Sequence, residues 1–262
     1  MRILFIGDIV GRPGRQVVAA QLPHLRAARV YDAVIANAEN AAGGLGATPD
    51  ILDELRALGV DGFTMGNHTW RKRGIIPALE SHHDIVRPAN YPAGVPGRGE
   101  TIITLRDGRK LGLVNVLGRV FMEAFGCPFT TAAEAVTRLR EETPFVLVDM
   151  HAEATSEKVA LGWHLDGQCT AVVGTHTHIP TADGWVLPGG TAYVTDVGMC
   201  GPQLSVIGTQ REAVLQKFIT GMPKQFEVAN GPAMFCAVEI EADDASGRAT
   251  HIASVVIREP LT

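Results

Sequence analysis

Two histidines separated by one residue are the most informative feature of the sequence. They lie in residues 174–178 (Gly-Thr-His-Thr-His), directly after the apolar run 171–173, which predicts a buried strand. In extended backbone, side chains two positions apart point to the same face, so His176 and His178 are expected to converge beyond the strand end. Open α/β sheets place their sites at the C-terminal ends of strands. The pattern therefore favours a metal site over two unrelated histidines.

Four other predicted strands end in residues that can bind a metal ion. The apolar runs 2–6, 32–36, 61–65 and 145–148 predict buried strands. The donors that follow them are Asp8; Glu39 with Asn40; Asn67; and His151. Oxygen and imidazole donors without a thiolate suit manganese, iron or zinc in a hydrolytic site rather than a structural zinc site.

The number of donors indicates two metal ions. Six or seven donors exceed what one ion takes while it keeps a position open. They match two ions about 3.5–4 Å apart that share a bridging carboxylate, and Glu39 is the candidate because it is the acid central to the set. Two such ions lower the pKa of a bridging water, which gives a hydroxide as the nucleophile of a hydrolytic reaction.

Each candidate ligand also has an ordinary structural role open to it. Asp8 suits the cap of a following loop or helix, and His151 alone is ambiguous. Asparagines at strand ends, such as Asn40 and Asn67, commonly satisfy turn backbone groups. The metal site would be absent only if every one of these residues had its ordinary structural role instead. The histidines away from the strand exits are assigned to surface or packing roles: His24, His82, His83, His164 and His251.

Strands and helices alternate along the chain at the spacing typical of an α/β fold. The sequence predicts helices over 13–28, 49–58, 130–141 and 156–165, and further strands over 102–105, 111–117, 233–241 and 250–257. Thr48 and Pro49 give the second helix a cap and a first-turn proline, and Asp107-Gly108 predicts a hairpin turn. No repeat or clear linker interrupts the pattern, so we expect a single domain over residues 1–262.

Composition limits the class of protein. The chain has 262 residues, is 46% hydrophobic and carries a net charge of −5, which argues against stable binding to a nucleic-acid backbone. Small phosphorylated substrates stay open, because bound metal ions reverse the local charge. The four cysteines form no Cys-x-x-Cys pair, and no signal or membrane-spanning segment is recognisable. We therefore expect a cytoplasmic protein with reduced thiols and no membrane contact.

The segments at the strand exits resemble those of the calcineurin-like metallophosphoesterases. They are Gly7-Asp8, residues 37–40 (Asn-Ala-Glu-Asn), residues 66–68 (Gly-Asn-His), His151 and residues 174–178, in that order. The family usually opens with Asp-x-His, where this chain has Val10. It usually has aspartate at Glu39 and an acid at Thr69. With residues 7–11 and 196–199, these departures resemble the YmdB-like branch of 2′,3′-cyclic-nucleotide phosphodiesterases, over essentially the full chain.

The resemblance implies a fold, a cofactor and a reaction. The fold is a metallophosphoesterase-like αββα sandwich with mixed sheets, and the metal site lies at strand C-terminal ends. The cofactor is a pair of metal ions, iron or manganese. The implied ligand sets are Asp8, Glu39, Asn40 and His178 around one ion, and Glu39, Asn67, His151 and His176 around the other. The substrate is a cyclic nucleotide or another small phosphodiester.

His68 is the candidate general acid. It adjoins Asn67 without being needed as a ligand, and the leaving ribose oxygen is an alkoxide that needs a proton. The resemblance implies that Asn40 takes the place of the histidine that is missing at Val10.

Other functions are open to the same residues. Two-metal chemistry also suits a phosphomonoesterase or 5′-nucleotidase, and a metal-bearing regulatory module would bind phosphate without turnover. A Rossmann dehydrogenase is excluded because Gly7, Gly11 and Gly14 have the wrong spacing. Nucleophilic serine catalysis is disfavoured because no Gly-x-Ser-x-Gly occurs.

Two segments near the site have open roles. Residues 71–73 (Arg-Lys-Arg) could bind a substrate phosphate or form the solvent-exposed start of a helix. Phe121, Met122 and Phe129 suit a lid over a base, but a core or oligomer contact is favoured, and exposed apolar loops leave room for a homo-oligomer.

Overall fold

The computed structural model describes residues 1–261. Its strands are β1 (Arg2–Ile6), β2 (Asp8–Ile9), β3 (Ala33–Asn37), β4 (Gly62–Thr64), β5 (Ile85–Val86), β6 (Glu100–Thr104), β7 (Lys110–Leu117), β8 (Val146–His151), β9 (Ala171–Thr175), β10 (Trp185–Val186), β11 (Ala192–Val194), β12 (Met199–Pro202), β13 (Ala233–Ala242) and β14 (Ala249–Arg258). Its α-helices are α1 (Gly11–Ala28), α2 (Pro49–Ala57), α3 (Ile76–Ser81), α4 (Pro128–Arg140), α5 (Thr155–His164) and α6 (Arg211–Thr220). The predicted helices and strands are present at nearly the expected positions.

The strands form two mixed sheets. In the first sheet the order is β2-β12-β13-β1-β3-β4-β5, with β14 paired to β13. In the second it is β10-β11-β9-β8-β7-β6. Strands β1, β3, β4 and β5 run parallel, as do β7, β8, β9 and β11, so each sheet has a set of C-terminal ends at one edge.

Alternating side chains stack the sheets and helices into four layers. In β1, Ile3 and Phe5 face the second sheet, whereas Leu4 and Ile6 face α1 and α2, as the two-residue period of a strand requires. In β9, Val173 faces the first sheet and Val172 packs under α4 and α5. The resulting αββα sandwich confirms the expected fold.

Several elements lie outside the sequence prediction, among them β12 and α6. Strand β12 contains a glycine and a proline, which weaken a strand signal, and its pairing with β2 and β13 holds it in the sheet. Helix α6 buries only Val214, so it lacks the apolar stripe that identifies a surface helix. None of the helices within residues 1–261 combines the length and the apolar character needed to cross a membrane.

Candidate metal centre

The inner face of the sandwich changes from apolar to polar where the parallel strands end. In β8, Leu147 lies in the core between the sheets, and Asp149 and His151 follow on the same row. In β9, Val173 is followed by Thr175, which pairs in register with His151. All these side chains are fully buried. The two-residue period of these strands therefore places a polar cluster next to the apolar core, at the C-terminal ends of the strands.

One group of candidate ligands surrounds His151. Its Nε2 atom lies 3.1 Å from Oε1 of Glu39, 3.0 Å from Oδ1 of Asn67 and 3.1 Å from Nδ1 of His176. These side chains come from the ends of β3, β4, β8 and β9. Glu39, His151 and His176 each offer a ligand atom within 4.8 Å of the others.

A second group lies on the other side of Glu39. Nε2 of His178 is 3.6 Å from Oδ1 of Asp8 and 3.2 Å from Nδ2 of Asn40. The same Asn40 nitrogen is 3.3 Å from Oε1 of Glu39. The structure therefore brings all seven predicted ligands together, in two groups that share Glu39. Asn40 presents its amide nitrogen to the group, and its oxygen faces His68 at 2.8 Å.

The two histidines converge by a route that the sequence analysis did not predict. Strand β9 ends at Thr175, and His176 and His178 have positive φ angles of 94° and 66°. The expectation of extended backbone with side chains on one face is therefore wrong. The left-handed residues turn His176 toward one group and His178 toward the other, and such strained conformations concentrate at functional sites.

Gly66 allows the close approach of two candidate ligands. A Cβ atom at this position would lie 2.3 Å from Oε2 of Glu39 and 2.4 Å from Nε2 of His151. Only glycine fits there without displacing both side chains, which explains the glycine before Asn67 and His68.

Burial and neighbouring charges set the ionisation of the site. Burial opposes ionisation of Glu39, but the His151 imidazole beside it holds its pKa well below the usual range. Burial also opposes ionisation of Asp8, whose pKa is lowered by His178. Burial lowers the pKa of His176 to about 3, so its imidazole is neutral at neutral pH. Carboxylates and neutral imidazoles are the forms that ligate metal ions.

Asp149 and Thr175 orient His151 and were not predicted as part of the site. The Thr175 hydroxyl donates to Asp149 at 2.7 Å and lies 2.9 Å from Nδ1 of His151. Its oxygen therefore accepts from Nδ1–H, so Nε2 is the ring nitrogen of His151 that faces the cluster. Burial raises the pKa of Asp149 to about 6. The signal in the sequence is the spacing of Asp149 and His151 on one face of β8.

The donor arrangement fits a metal cation. Nε2 of His151 faces oxygens of Glu39 and Asn67, and Oδ1 of Asp8 is buried without a hydrogen bond among the described residues. Burial opposes a positive charge on His151, but Glu39 raises its pKa, so the cluster favours a positive charge, which a bound metal cation would supply. Burial opposes a positive charge on His178, yet Asp8 raises its pKa to about 9, which shows the same demand for positive charge.

The Thr175→Val substitution is expected to weaken metal binding about 10- to 100-fold, the usual effect of losing a partner of a ligating histidine. Valine keeps the shape of threonine but leaves Nδ1–H of His151 without an acceptor. Competition with a chelator measures the apparent affinity for Mn²⁺. Thr175→Ser retains the hydroxyl and should bind Mn²⁺ like the wild type, and equal affinities for the valine and serine variants would contradict this role.

A buried ion pair anchors the backbone between the two histidines. Nζ of Lys158 lies 2.7 Å from Oδ2 of Asp196, and both side chains are fully buried. The same oxygen accepts from the backbone N–H and the hydroxyl of Thr177 at 3.1 and 2.7 Å. Gly198 N–H donates to the other oxygen. Asp196 therefore fixes the backbone at Thr177, and this fixes the directions of the His176 and His178 side chains.

Removal of Lys158 by Lys158→Met is expected to destabilise the protein by about 3–5 kcal/mol, because it leaves the buried Asp196 carboxylate without a counter-charge. Denaturant unfolding of the metal-free protein measures the change. The double variant Lys158→Met/Asp196→Asn removes both charges and should recover much of the loss. A single variant that loses less than about 1 kcal/mol would contradict a buried charged pair.

His68 borders a chamber beside the cluster. The chamber has a volume of about 480 Å³ and is lined partly by the candidate ligands and partly by apolar side chains, including Leu45 and Phe226. Nδ1 of His68 lies 2.8 Å from Asn40 and 3.2 Å from Glu39. Its Nε2 atom makes no hydrogen bond within residues 1–261, which leaves that nitrogen for a substrate.

The other residues discussed in the sequence analysis lie on the surface, beside the metal-ligand cluster or against the core. The five histidines assigned to surface or packing roles are exposed. Residues 71–73 are exposed and precede α3, and Arg71 lines a groove next to the cluster. Met122 and Phe129 pack against the core under the second sheet, but Phe121 is exposed, so it is not a core residue.

Known proteins similar to this chain share its length and fold. The sequence pattern of the family described as YmdB-like protein matches residues 4–255. The chain is 45% identical over 259 residues to the 2′,3′-cyclic-nucleotide 2′-phosphodiesterase of Bacillus subtilis (strain 168), and the alignment covers 99% of this chain and 98% of that protein. A crystal structure of a hypothetical protein from Thermus thermophilus superposes with a TM-score of 0.90 at 46% identity, covering 99% and 100% of the two chains. A crystal structure of a novel phosphatase from Mycoplasma pneumoniae gives 0.92 at 34% identity, covering 98% and 93%.

Proposed function

Because this chain belongs to the YmdB-like family, we propose that it is a metal-dependent phosphodiesterase that hydrolyses 2′,3′-cyclic nucleotides. The relative from Bacillus subtilis carries that activity in its name, and the alignment spans nearly all of both chains. The observation that carries the proposal is the division of seven donors into two groups that share the buried carboxylate of Glu39. Such a carboxylate is the element that a two-metal hydrolytic site requires.

The two groups would hold one metal ion each. The ligand sets are Asp8, Glu39, Asn40 and His178 for one ion, and Glu39, Asn67, His151 and His176 for the other. When bound, such ions activate water and neutralise the charge of the phosphate oxygens. Imidazole, carboxylate and amide donors without thiolate are compatible with iron or manganese, the metals that the family resemblance implies.

His68 would protonate the leaving ribose oxygen. Asn40 must turn its amide through 180° to present its oxygen to a metal ion, because its nitrogen now faces His178. After that exchange the amide nitrogen donates to Nδ1 of His68, so the proton of a neutral His68 sits on Nε2. That nitrogen makes no hydrogen bond among the described residues and is the one available to the leaving group.

A phosphomonoesterase is the second candidate, because the similar structure from Mycoplasma pneumoniae is called a phosphatase. The same residues serve both reactions, so only turnover separates them. Freshly purified protein is assayed, with and without Mn²⁺, on 2′,3′-cyclic AMP, 3′,5′-cyclic AMP, bis(p-nitrophenyl) phosphate and p-nitrophenyl phosphate. Selective turnover of 2′,3′-cyclic AMP is expected. Preference for the monoester would favour the phosphatase, and nucleotide binding without hydrolysis would favour a regulatory module.

A further inference from the structure

A second groove borders the candidate metal centre. It has a volume of about 800 Å³ and includes Asn67 and His176, which also belong to the cluster. Its other walls include Trp70, Tyr91 and Phe121. A ligand held at the metal centre therefore has direct access to a surface rich in aromatic side chains, which we call the aromatic groove.

Phe121 is the unusual residue of the aromatic groove. It is 89% exposed, although a phenyl ring normally stabilises a fold by burial. Its φ angle is 63°, a left-handed conformation that is a genuine outlier for a bulky residue. Within residues 1–261 the ring takes part in no aromatic pair or cation–π contact. A strained backbone thus holds a ring with both faces free at the edge of the site.

The floor of the aromatic groove is ordered by ring contacts. Trp70 and Tyr91 pack edge to face with centroids 4.8 Å apart, and Tyr91 contacts Phe125 at 4.3 Å. Arg71 and Glu123 add one charge of each sign to the lining. Flat aromatic faces with a few polar groups at the side are the features with which proteins bind unpaired nucleobases.

We infer that the aromatic groove is the nucleobase subsite and that the base of the substrate stacks on Phe121. This inference rests on the proposed function, because it assigns the base of the cyclic nucleotide. The chamber beside His68 offers Phe226 as an alternative platform. One face of that ring is already covered, however, by the Lys217 ammonium, which lies 4.9 Å from its centroid. Phe121 is 89% exposed against 44% for Phe226, and no cation covers its ring within residues 1–261, so it is the more open platform for a base.

The test compares two cyclic esters that differ only in the base. One is 2′,3′-cyclic AMP, and the other is the 2′,3′-cyclic phosphate of methyl β-ribofuranoside, which has no base. The measured ratio is kcat/KM for 2′,3′-cyclic AMP divided by kcat/KM for the ester without a base. We expect Phe121→Ala to lower this ratio about ten-fold, a typical loss for one stacked base. Phe121→Tyr keeps a ring and should retain the ratio, and Phe218→Ala, an exposed phenylalanine on α6, is the matched control.

Two results would overturn the inference. One is an unchanged ratio in Phe121→Ala, and the other is a loss of the ratio in Phe226→Ala with none in Phe121→Ala, which would place the base in the chamber. Calorimetric binding of adenosine 3′-monophosphate to the Mn²⁺-loaded protein separates the inference from the proposed function. If neither ester is hydrolysed, weaker binding by Phe121→Ala than by the wild type still supports the subsite. Equal binding contradicts it.

Discussion

Replacement of Glu39 by alanine is expected to remove both metal ions and, with them, the phosphodiesterase turnover. Glu39 contacts both groups of donors, through Oε1 at 3.1 Å from His151 and 3.3 Å from Asn40. Loss of a shared ligand disrupts both sites at once. The loss of turnover should therefore exceed the roughly 10²-fold that follows removal of an outer partner of a ligand.

Elemental analysis and turnover of the same purified sample measure this effect. Glu54→Ala, which removes a half-exposed carboxylate on α2, is the control and should retain metal and turnover. Thermal unfolding of the metal-free proteins shows whether Glu39→Ala is folded. Full metal content in a folded Glu39→Ala protein would refute the shared-ligand role.

The His68→Ala variant should keep its metal content and lose about 10²–10⁴ in turnover of 2′,3′-cyclic AMP, the usual contribution of a general acid. His68 contacts Glu39 and Asn40 through Nδ1, so its removal leaves the donor groups in place. The loss should be much smaller on bis(p-nitrophenyl) phosphate, because p-nitrophenolate is a weak base that departs without a proton.

The dependence on the leaving group distinguishes acid catalysis from a structural effect of His68→Ala. A structural effect lowers turnover of both substrates equally, whereas the loss of a general acid affects the alkoxide leaving group. His24→Ala, on the exposed side of α1, is the control. Wild-type turnover of the cyclic nucleotide by His68→Ala, with metal unchanged, would contradict the assignment.

The sequence was sufficient to predict the layers of the fold and the neighbourhood of the site. The apolar runs of β1, β3, β8 and β9 are buried on both faces, so they stand out as strands of parallel sheets. Because parallel strands end at one edge, donors such as Asp8, Glu39 and His151 were expected to meet there, and they do.

Features that depend on contacts between distant residues were not accessible from the sequence. Lys158 and Asp196 are 38 positions apart, and neither residue type is expected to be buried. The left-handed conformations of His176 and His178 oppose the preference of ordinary residues and are imposed by anchors such as Asp196. The exposure of Phe121 likewise reverses the usual preference of a phenylalanine, which led the sequence analysis to favour a core or oligomer contact.

The number of metal ions required for turnover tests the central claim most directly. Protein stripped with a chelator is titrated with Mn²⁺, and bound metal and turnover of 2′,3′-cyclic AMP are measured in the same samples. The two donor groups around Glu39 predict that turnover rises steeply with the second equivalent and is complete at about two ions per chain. Full turnover with one ion per chain, or turnover that survives complete removal of metal, would contradict the two-metal phosphodiesterase.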